Sequence, residues 1–586
     1  MTKFPRMPKA GKVVFDVETT GVDWKKDHIV GIVVTLGPGP KETWYFPIRH
    51  ADGNMDVDTV LNWVRDWSRN PDLLIVGHNL KFDLHMAANE GIIFAGKLEC
   101  TMVNAALIDE NAGAYNLAEC AKRAKVTAKR SDEMYNHLAA VFGGDPDRKQ
   151  MVNFHRLSGD DPIAESYAVG DGTTTWLLHE AQQKEIQDQE LTLVHGVECR
   201  VIRTLFRMER RGVKIDEKKA AKFKKFMEKE IEAARKALPE GFNPRSGPQV
   251  MNYVMSSGAS GWPLTEKGKP SFPEAYLATI PAGAPIIKLR KYTNLVNSFL
   301  EPLLTEHLHN GRIHTNFNQT KQDEYGVVTG RLSSNNPNEQ QVPKRDKVLG
   351  RPFRELHVAD EGMVWSANDY SQQEFRVFAD YSASPALLAG YAADPPIDFH
   401  TVVANLLGVE RDPTAKRMNL GMLYGMGVKK LAASLGIPEA KAKALRDQYH
   451  ANLPEVKAYL KKAEYWASQR GWVRTKLKRR RRFPDPTFAH KAGNSIIQGT
   501  SADITKLKMC EVDELFAANG DICHLLLQVH DELDWQFPDT PEGRKLDAMA
   551  RAIMTSFGED DLIQLTVKMA ADSKQGPNWG VATYGK

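Results

Sequence analysis

The segment LLLQVHDELDWQF, Leu525 to Phe537, starts as a buried strand, then sets His530, Asp531 and Glu532 in succession before apolar residues return with Leu533, Trp535 and Phe537. A surface hairpin ordinarily turns on Gly, Asn or Pro. Burying adjacent carboxylates is costly unless positive charge meets them. Upstream, MVWSAND reads as a strand ending on Asp369, and QQEFRVFADYS reads as the helix that follows it. Asp369 at a strand end and Asp531 at a hairpin tip can meet on one sheet. Two carboxylates side by side repel unless cations sit between them, so the fold has to bring cations to that turn.

A second acidic set lies near the other end of the chain. FDVETTG places Asp16 and Glu18 two residues apart on a strand, so both side chains leave the same face. In GHNLKFDLHM, Asn79 and Asp83 are four apart and share a helix face, and Tyr167 and Asp171 repeat that spacing in YAVGDGTTT. Four carboxylates thus converge from three elements, with a phenol beside them. Hard oxygen ligands of this kind suit Mg²⁺ or Mn²⁺. Two such ions activate a water and stabilise the leaving oxygen in phosphodiester hydrolysis. Each piece alone reads as solvent-facing; the ordered set carries the inference.

At 586 residues the chain exceeds a single core, so two to four domains are expected. Hydrophobic content of 42% and charged content of 26% describe an ordinary globular protein, and a net charge of +4 neither proves nor excludes a nucleic-acid partner. The five cysteines form no C-x-x-C pair, which argues against zinc motifs and a disulfide framework and for a reducing cytoplasm. The first residues carry no apolar signal region, and no run of about 18 apolar residues occurs, so neither secretion nor a membrane span is expected.

From Lys12 to about Ala87, short β-rich runs alternate with helical ones; helical character then dominates to about Gln189. A charged helix is expected from Asp216 to Leu238, followed by a Gly/Pro/Ser-rich stretch from Gly241 to Pro285. Next comes IIKLRKYTNLVNSFLEPLL, an apolar helix with Lys288, Arg290 and Lys291 near its start. In DPTAKRMNLGMLYGMG, Asp412 reads as an N-cap and Pro413 as the first helical residue, with Lys416, Leu420 and Tyr424 on one stripe. That stripe either engages a phosphate, a base and a templating position, or packs Leu420 and Tyr424 while Lys416 snorkels. The run KLKRRRR, Lys476 to Arg482, is either a solvated loop or a phosphate-binding one.

The N-terminal set resembles, in order, the three motifs of proofreading 3′→5′ exonucleases with a tyrosine in the third. DYSQQEFR, KRMNLGMLYG and VHDE resemble the three motifs of family A DNA polymerases. VVTGRLSSNNPNEQQVPKR, KRRRRFPD, NSIIQGTSADI and the terminal GPNWG resemble the same family. The resemblance runs from about Gly11 to the end, and looks like the exonuclease-plus-polymerase part of bacterial polymerase I without its 5′ nuclease domain, nearest in type to a compact phage polymerase. It implies an α/β and α+β multidomain fold: an RNase H-like exonuclease domain (1–190), thumb and connection (191–330), first part of the palm (331–400), fingers (401–498) and second part of the palm (499–586).

On that resemblance, Asp16, Glu18, Asp83 and Asp171 hold metals and Tyr167 orients the attacking water. Asp369, Asp531 and the carbonyl of Tyr370 hold the polymerase metals, with Glu532 a weaker ligand. Two Mg²⁺ ions per active site are implied, Mn²⁺ being possible. Lys416 and His400 meet the triphosphate, Tyr424 closes the site, and Glu374 stands where a ribose 2′-OH would go. Arg331, Asn494 and Gln498 read the minor-groove edge of the primer-terminal pair, and His530 contacts the primer end. Lys288, Arg290, Lys291, Arg479 and Arg480 are expected on DNA. The implied partners are primer-template DNA and deoxynucleoside triphosphates, for a monomer in the cytoplasm of a bacterial or phage-infected cell; no processivity partner is specified.

Three positions depart from the family pattern. Asp412 stands where an Arg is usual, with Arg411 one residue further back; Gln373 replaces an aliphatic residue; and Leu420 replaces Phe or Tyr. Three other readings compete. A catalytically dead accessory subunit would need lost metal ligands, and none is lost. Another is a single-subunit RNA polymerase, which Glu374 opposes. The third is a nuclease whose polymerase-like half mainly binds DNA, which the retention of Asp369, Asp531, Lys416 and Tyr424 opposes.

Overall fold

The computed structural model describes residues 4–127, 131–265, 267–321, 327–344, 346 and 349–585. The N-terminal sheet comprises β1 (Gly11–Thr19), β2 (Ile29–Thr35), β3 (Thr43–Pro47), β4 (Leu73–Gly77) and β5 (Lys97–Cys100), in the order β3-β2-β1-β4-β5. Strands β1 to β3 are antiparallel, while β4 and β5 run parallel to β1 and to each other. Every residue of β2 is buried, because both faces of the sheet are covered. One face packs Phe15, Ile32, Phe46 and Ile75 into a core with Leu80 and Leu84 of helix α1 (Leu80–Asn89). The other face is crossed by α2 (Pro162–Asp188), whose start is fixed by Pro162 and by the Asp161 side chain, which accepts from the Ile163 and Ala164 N–H groups. Gly172 lets α2 lie close, since a Cβ there would sit 2.4 Å from Thr35 Oγ1 and 2.8 Å from Val33 Cγ1.

Helix α3 (Thr192–Arg211) leaves this unit and turns Val194, Val197, Val201, Leu205 and Met208 into the large core of the remaining chain. The charged helix is α4 (Glu217–Lys236), N-capped by Asp216, and the apolar one is α5 (Gly283–Leu295). The Gly/Pro/Ser-rich stretch between them is more than a linker. It closes a small core of its own from Leu238, Val250, Val254, Phe272, Leu277 and Ile286.

The second sheet is built from β6 (Met363–Tyr370), which leads into α6 (Gln373–Ser382), and from strands far downstream. Between them come α7 (Lys416–Leu423), a short hairpin of β7 (Trp472–Arg474) and β8 (Arg480–Arg482), and the long α8 (Ala492–Ala518). Strands β9 (His524–Val529), β10 (Glu532–Pro538) and β11 (Ala571–Gly576) complete an antiparallel sheet in the order β9-β10-β6-β11. On β10, Leu533, Trp535 and Phe537 enter the large core while Glu532, Asp534 and Gln536 take the other face, as period-2 alternation requires. Among the described residues no helix is long and apolar enough to cross a membrane.

Candidate active sites

On the first sheet, β4 pairs with β1 only from Gly11 to Val14, so β1 projects beyond it. The Val17 N–H on this projecting stretch donates to Asp83 Oδ1 at 3.2 Å, which brings α1 onto the strand. Asn79, with φ at 62°, makes the turn into α1. Asp16 and Glu18 leave β1 on the side covered by α2, and ligand oxygens of Asp16, Glu18 and Asp171 lie within 4.8 Å of one another. Tyr167 lies one turn before Asp171 on α2, its ring 5.9 Å from that of Phe154. Burial first, and then the charges of Asp16 and Glu18, push the Asp83 carboxyl well above the ordinary range. Such a cluster ionises together only when cations enter it.

On the second sheet, Asp369 pairs directly with Glu532 on one side and with Asp572 on the other. Val529 pairs with Glu532, leaving His530 and Asp531 as a two-residue loop. His530 has φ at 62° and Asp531 does not share it, the signs of a type II′ turn whose first position normally takes Gly. The Tyr370 N–H donates to the Asp531 carbonyl at 3.2 Å, drawing the hairpin tip to the end of β6. Asp531 is pushed up to about 7 by burial and by Asp369. Burial also raises Asp369, despite the pull of Lys344.

Lys344 is the residue that sequence reasoning missed. Its Nζ lies 2.6 Å from Asp369 Oδ2 and 2.7 Å from Glu532 Oε2, so an ammonium occupies the space between two carboxylates. Burial works against the Glu532 charge, yet Lys344, Arg354 and the Trp579 N–H hold that carboxyl below its usual range. Arg354 in turn lies 3.8 Å over the Trp579 ring. Asp534, on the same face and fully buried, is pushed well upward by burial and by Glu532. Nothing in the local pattern of QQVPKR marks Lys344; only the fold brings it to Asp369.

Beside this cluster, Glu374 in the first turn of α6 forms an ion pair with Arg331 and accepts from the Tyr424 hydroxyl at 3.4 Å. Gln498 Nε2 donates to the same hydroxyl at 3.3 Å. Asn494 and Gln498 are the less buried positions, one turn apart, on a largely buried stretch of α8. Lys416, Leu420 and Tyr424 stand on the exposed stripe of α7 and its end, with Leu420 37% and Tyr424 45% exposed. The stripe therefore faces outward instead of packing a core. Asp412 has extended dihedrals, φ −117° and ψ 130°, before Pro413, and Arg411 is engaged by Asp398, Thr401 and Asp412.

Several expected contacts are corrected by burial. His400 is 4% exposed, its Nδ1 2.9 Å from Asn419 Nδ2 and its ring edge-on to Phe375; burial lowers its pKa. It is a core residue and is not presented to a triphosphate. Arg479 is buried between Asp503, 2.7 Å away, and Glu198, which also meets Lys506 at 2.7 Å. A buried guanidinium needs that pairing, so Arg479 is not presented to DNA. Arg290 spends its guanidinium on the Pro244 and Phe272 carbonyls at 2.7 and 2.6 Å, locking the small core. Lys288 pairs with Glu230, and Lys291 with Glu274 and Asp346, both lysines staying partly exposed. Arg480 stacks 4.3 Å over Trp472. The basic run is thus neither a free loop nor an open phosphate cradle. Lys476 meets Asp380 at 2.6 Å, while Arg481 and Arg482 both grip Glu110 of the N-terminal unit.

Residues 3–187 match the family described as 3′-5′ exonuclease, and residues 214–581 match DNA polymerase family A. The DNA polymerase DpoZ of Acinetobacter phage SH-Ab 15497 is 33% identical, with 99% of both chains covered. The DNA polymerase I of Pseudomonas aeruginosa is 29% identical over 90% of this chain and 60% of its own length. Among solved structures, the POL domain of Pol1 from M. smegmatis, a complex with DNA primer-template and dNTP, has a TM-score of 0.80 at 24% identity, covering 98% of this chain and 96% of that one. That likeness is one of fold. Two acidic clusters on two sheets, one in each matched region, accord with a metal-dependent enzyme of two activities. The chain belongs to DNA polymerase family A and carries a 3′–5′ exonuclease domain at its N-terminus.

Proposed function

We propose that Asp369 and Asp531, with the Tyr370 carbonyl, hold two Mg²⁺ ions for primer extension, and that Asp16, Glu18, Asp83 and Asp171 hold a second pair for proofreading. Mn²⁺ satisfies the same oxygen donors. The donor sets fit such ions: each is all-oxygen, and in each one carboxyl is pushed up by burial and by its acidic neighbours, Asp83 by Asp16 and Glu18 and Asp531 by Asp369. When bound, the ions lower the pKa of the attacking hydroxyl or water and steady charge on the leaving oxygen. The observation that carries the reading is the Lys344 ammonium held between Asp369 and Glu532, because it marks a place built to take positive charge.

The substrates on this reading are primer-template DNA and deoxynucleoside triphosphates. Lys416, Arg411 and the Leu420–Tyr424 stripe meet the incoming nucleotide. Glu374, braced by Arg331 and Tyr424, walls off the space a ribose 2′-hydroxyl would need. Asn494, Gln498 and His530 face the primer-terminal pair, whose minor-groove acceptors test pair geometry without reading sequence. Tyr167 orients the attacking water in the other site. The division is exonuclease 1–190, thumb 191–330, palm 331–400 and 499–586, and fingers 401–498, acting as a monomer in the cytoplasm.

The two sites are separable on this reading. Asp16→Ala with Glu18→Ala abolishes degradation of a mismatched primer and leaves extension largely intact, while Asp531→Asn does the reverse. Both are read on one labelled hairpin primer with and without nucleotides. Loss of both activities in either variant, with the fold retained by circular dichroism, would refute the assignment.

A further inference from the structure

A group of soft and hard donors lies outside both acidic sites. Glu99 at the end of β5, and His195 and Cys199 one turn apart on α3, offer ligand atoms within 4.8 Å of one another. Glu99 Oε1 is 3.0 Å from His195 Nε2, and that nitrogen is 3.4 Å from Cys199 Sγ. His179 on α2 brings its Nε2 to 3.1 Å from the same Glu99 oxygen. Glu99 and His179 are buried, and Cys199 and His195 are largely covered.

A satisfied carboxylate is the simpler account of this cluster, and it falls short on two counts. Asn104 at 2.7 Å and Gln183 also approach Glu99 Oε1, so four nitrogens crowd one oxygen that has about two lone-pair directions. His195 Nε2 also faces both the carboxylate oxygen and the sulfur, and one N–H cannot serve two acceptors well. A ring lone pair aimed at a cation between them suits the geometry. With zinc–nitrogen and zinc–oxygen bonds near 2.0–2.1 Å and zinc–sulfur near 2.3 Å, ligand atoms around a tetrahedral ion lie roughly 3.2–3.6 Å apart. The His195–Glu99 and Cys199–His195 separations of 3.0 and 3.4 Å approach that spacing, and the Glu99 and Cys199 ligand atoms lie within 4.8 Å of each other.

We propose that Glu99, His195 and Cys199 form a zinc site that clasps the exonuclease sheet to α3, a water completing the four-coordinate ion. The donor set, one thiolate, one imidazole and one carboxylate in a covered position, selects zinc over Mg²⁺. Burial and Glu99 hold the Cys199 thiol protonated in the metal-free protein, so loading releases its proton to solvent. His179 stays outside the donor set, its Nε2 lying between Glu99 Oε1 at 3.1 Å and the Gln183 amide nitrogen at 3.3 Å. The site joins an N-terminal strand to a helix embedded in the polymerase core, so it sets how the two units are held. Cysteine spacing cannot find it, because the site has one cysteine and its carboxylate comes from an element nearly a hundred residues upstream.

The test uses the full chain stripped of metal and titrated with Co²⁺. Carboxylate sites give no sulfur-to-cobalt charge-transfer band in the near ultraviolet, whereas a Cys199 thiolate does. One Co²⁺ per chain with that band is expected, displaced by zinc, retained in the Asp16→Ala/Glu18→Ala variant and lost in Cys199→Ser. Serine nearly preserves shape and leaves every hydrogen bond to Glu99 in place, so the variant folds. Zinc at about 100 times its Kd raises the wild-type Tm by about 2–3 °C and leaves that of Cys199→Ser unchanged. Absence of the band in the wild type, or its survival in Cys199→Ser, overturns the site and leaves Glu99 a hydrogen-bonded hub.

Discussion

Lys344 and Asp531 show how single residues hold the polymerase cluster together without metal. Any cation entering between Asp369 and Glu532 has to displace the Lys344 ammonium, whose pKa the two carboxylates raise although burial opposes it. Lys344→Met removes the competitor without adding a charge. The lysine is 44% exposed, which tempers its hold, so the expected gain is about 1 kcal/mol. The Mg²⁺ concentration for half-maximal extension then falls about threefold to tenfold. An unmoved midpoint would mean that Lys344 leaves the cluster before metal binds. Asp531 acts in the opposite sense. Its folded pKa of about 7 lies above its unfolded value, so the metal-free protein binds more protons than the unfolded chain between about pH 4 and 7. The stability this group contributes is present below that window and is lost as pH rises through 7. Asp531→Asn therefore stabilises the chelated protein at pH 8, by roughly 1–4 kcal/mol, with the advantage fading toward pH 4. Urea melts at both pH values in chelator check it; equal shifts at the two would show that Asp531 does not titrate as described.

Elements whose role follows from local pattern were legible in the sequence. The strand ending on Asp369 and the hairpin tip at Asp531 follow from alternation broken by acids, and β1 with Asp16 and Glu18 follows from period-2 geometry. The outward stripe of Lys416, Leu420 and Tyr424 was legible as a stripe, but its direction was not, since periodicity names a face without saying what it faces. What failed did so because partners lie far away in sequence. Arg479 reads as one cation in a basic run, and only the fold brings Glu198 and Asp503 to bury it. His400 beside Asp398 reads as polar, yet α6 supplies Phe375 to cover it. Composition marked the stretch from Gly241 to Pro285 only as Gly/Pro/Ser-rich, and the small core its apolar residues close with the flanking helices was not legible there. Lys344 belongs to no periodic element, so no spacing argument reaches it.

Across the whole molecule, three arginines of one hairpin are spent on holding the two catalytic units together. From the β7–β8 hairpin of the polymerase half, Arg481 reaches Glu110 at 3.1 Å and Asn111 at 2.7 Å, Arg482 grips Glu110 and Gln189, and Arg474 pairs with Glu190. All four partners lie on the N-terminal unit, and Glu110 is only 9% exposed. The hairpin is therefore a strap, and its arginines are not free to neutralise phosphates while it is fastened. A cation that neutralises a phosphate contributes about 0.9 to the slope of log K against log salt on duplex DNA. If Arg481 and Arg482 touched DNA, replacing both with Ala would lower that slope by nearly two. On the strap reading the slope stays the same. The double variant instead uncouples the units, so the exonuclease domain melts in a separate, earlier calorimetric transition, because cooperativity between domains rests on the contacts they share. Glu110→Gln should show the same splitting more weakly, since the amide oxygen still accepts from the arginines without its charge. A slope lowered by about two with an unsplit melt would mean that the arginines leave Glu110 for phosphate, and that the strap opens whenever DNA is bound.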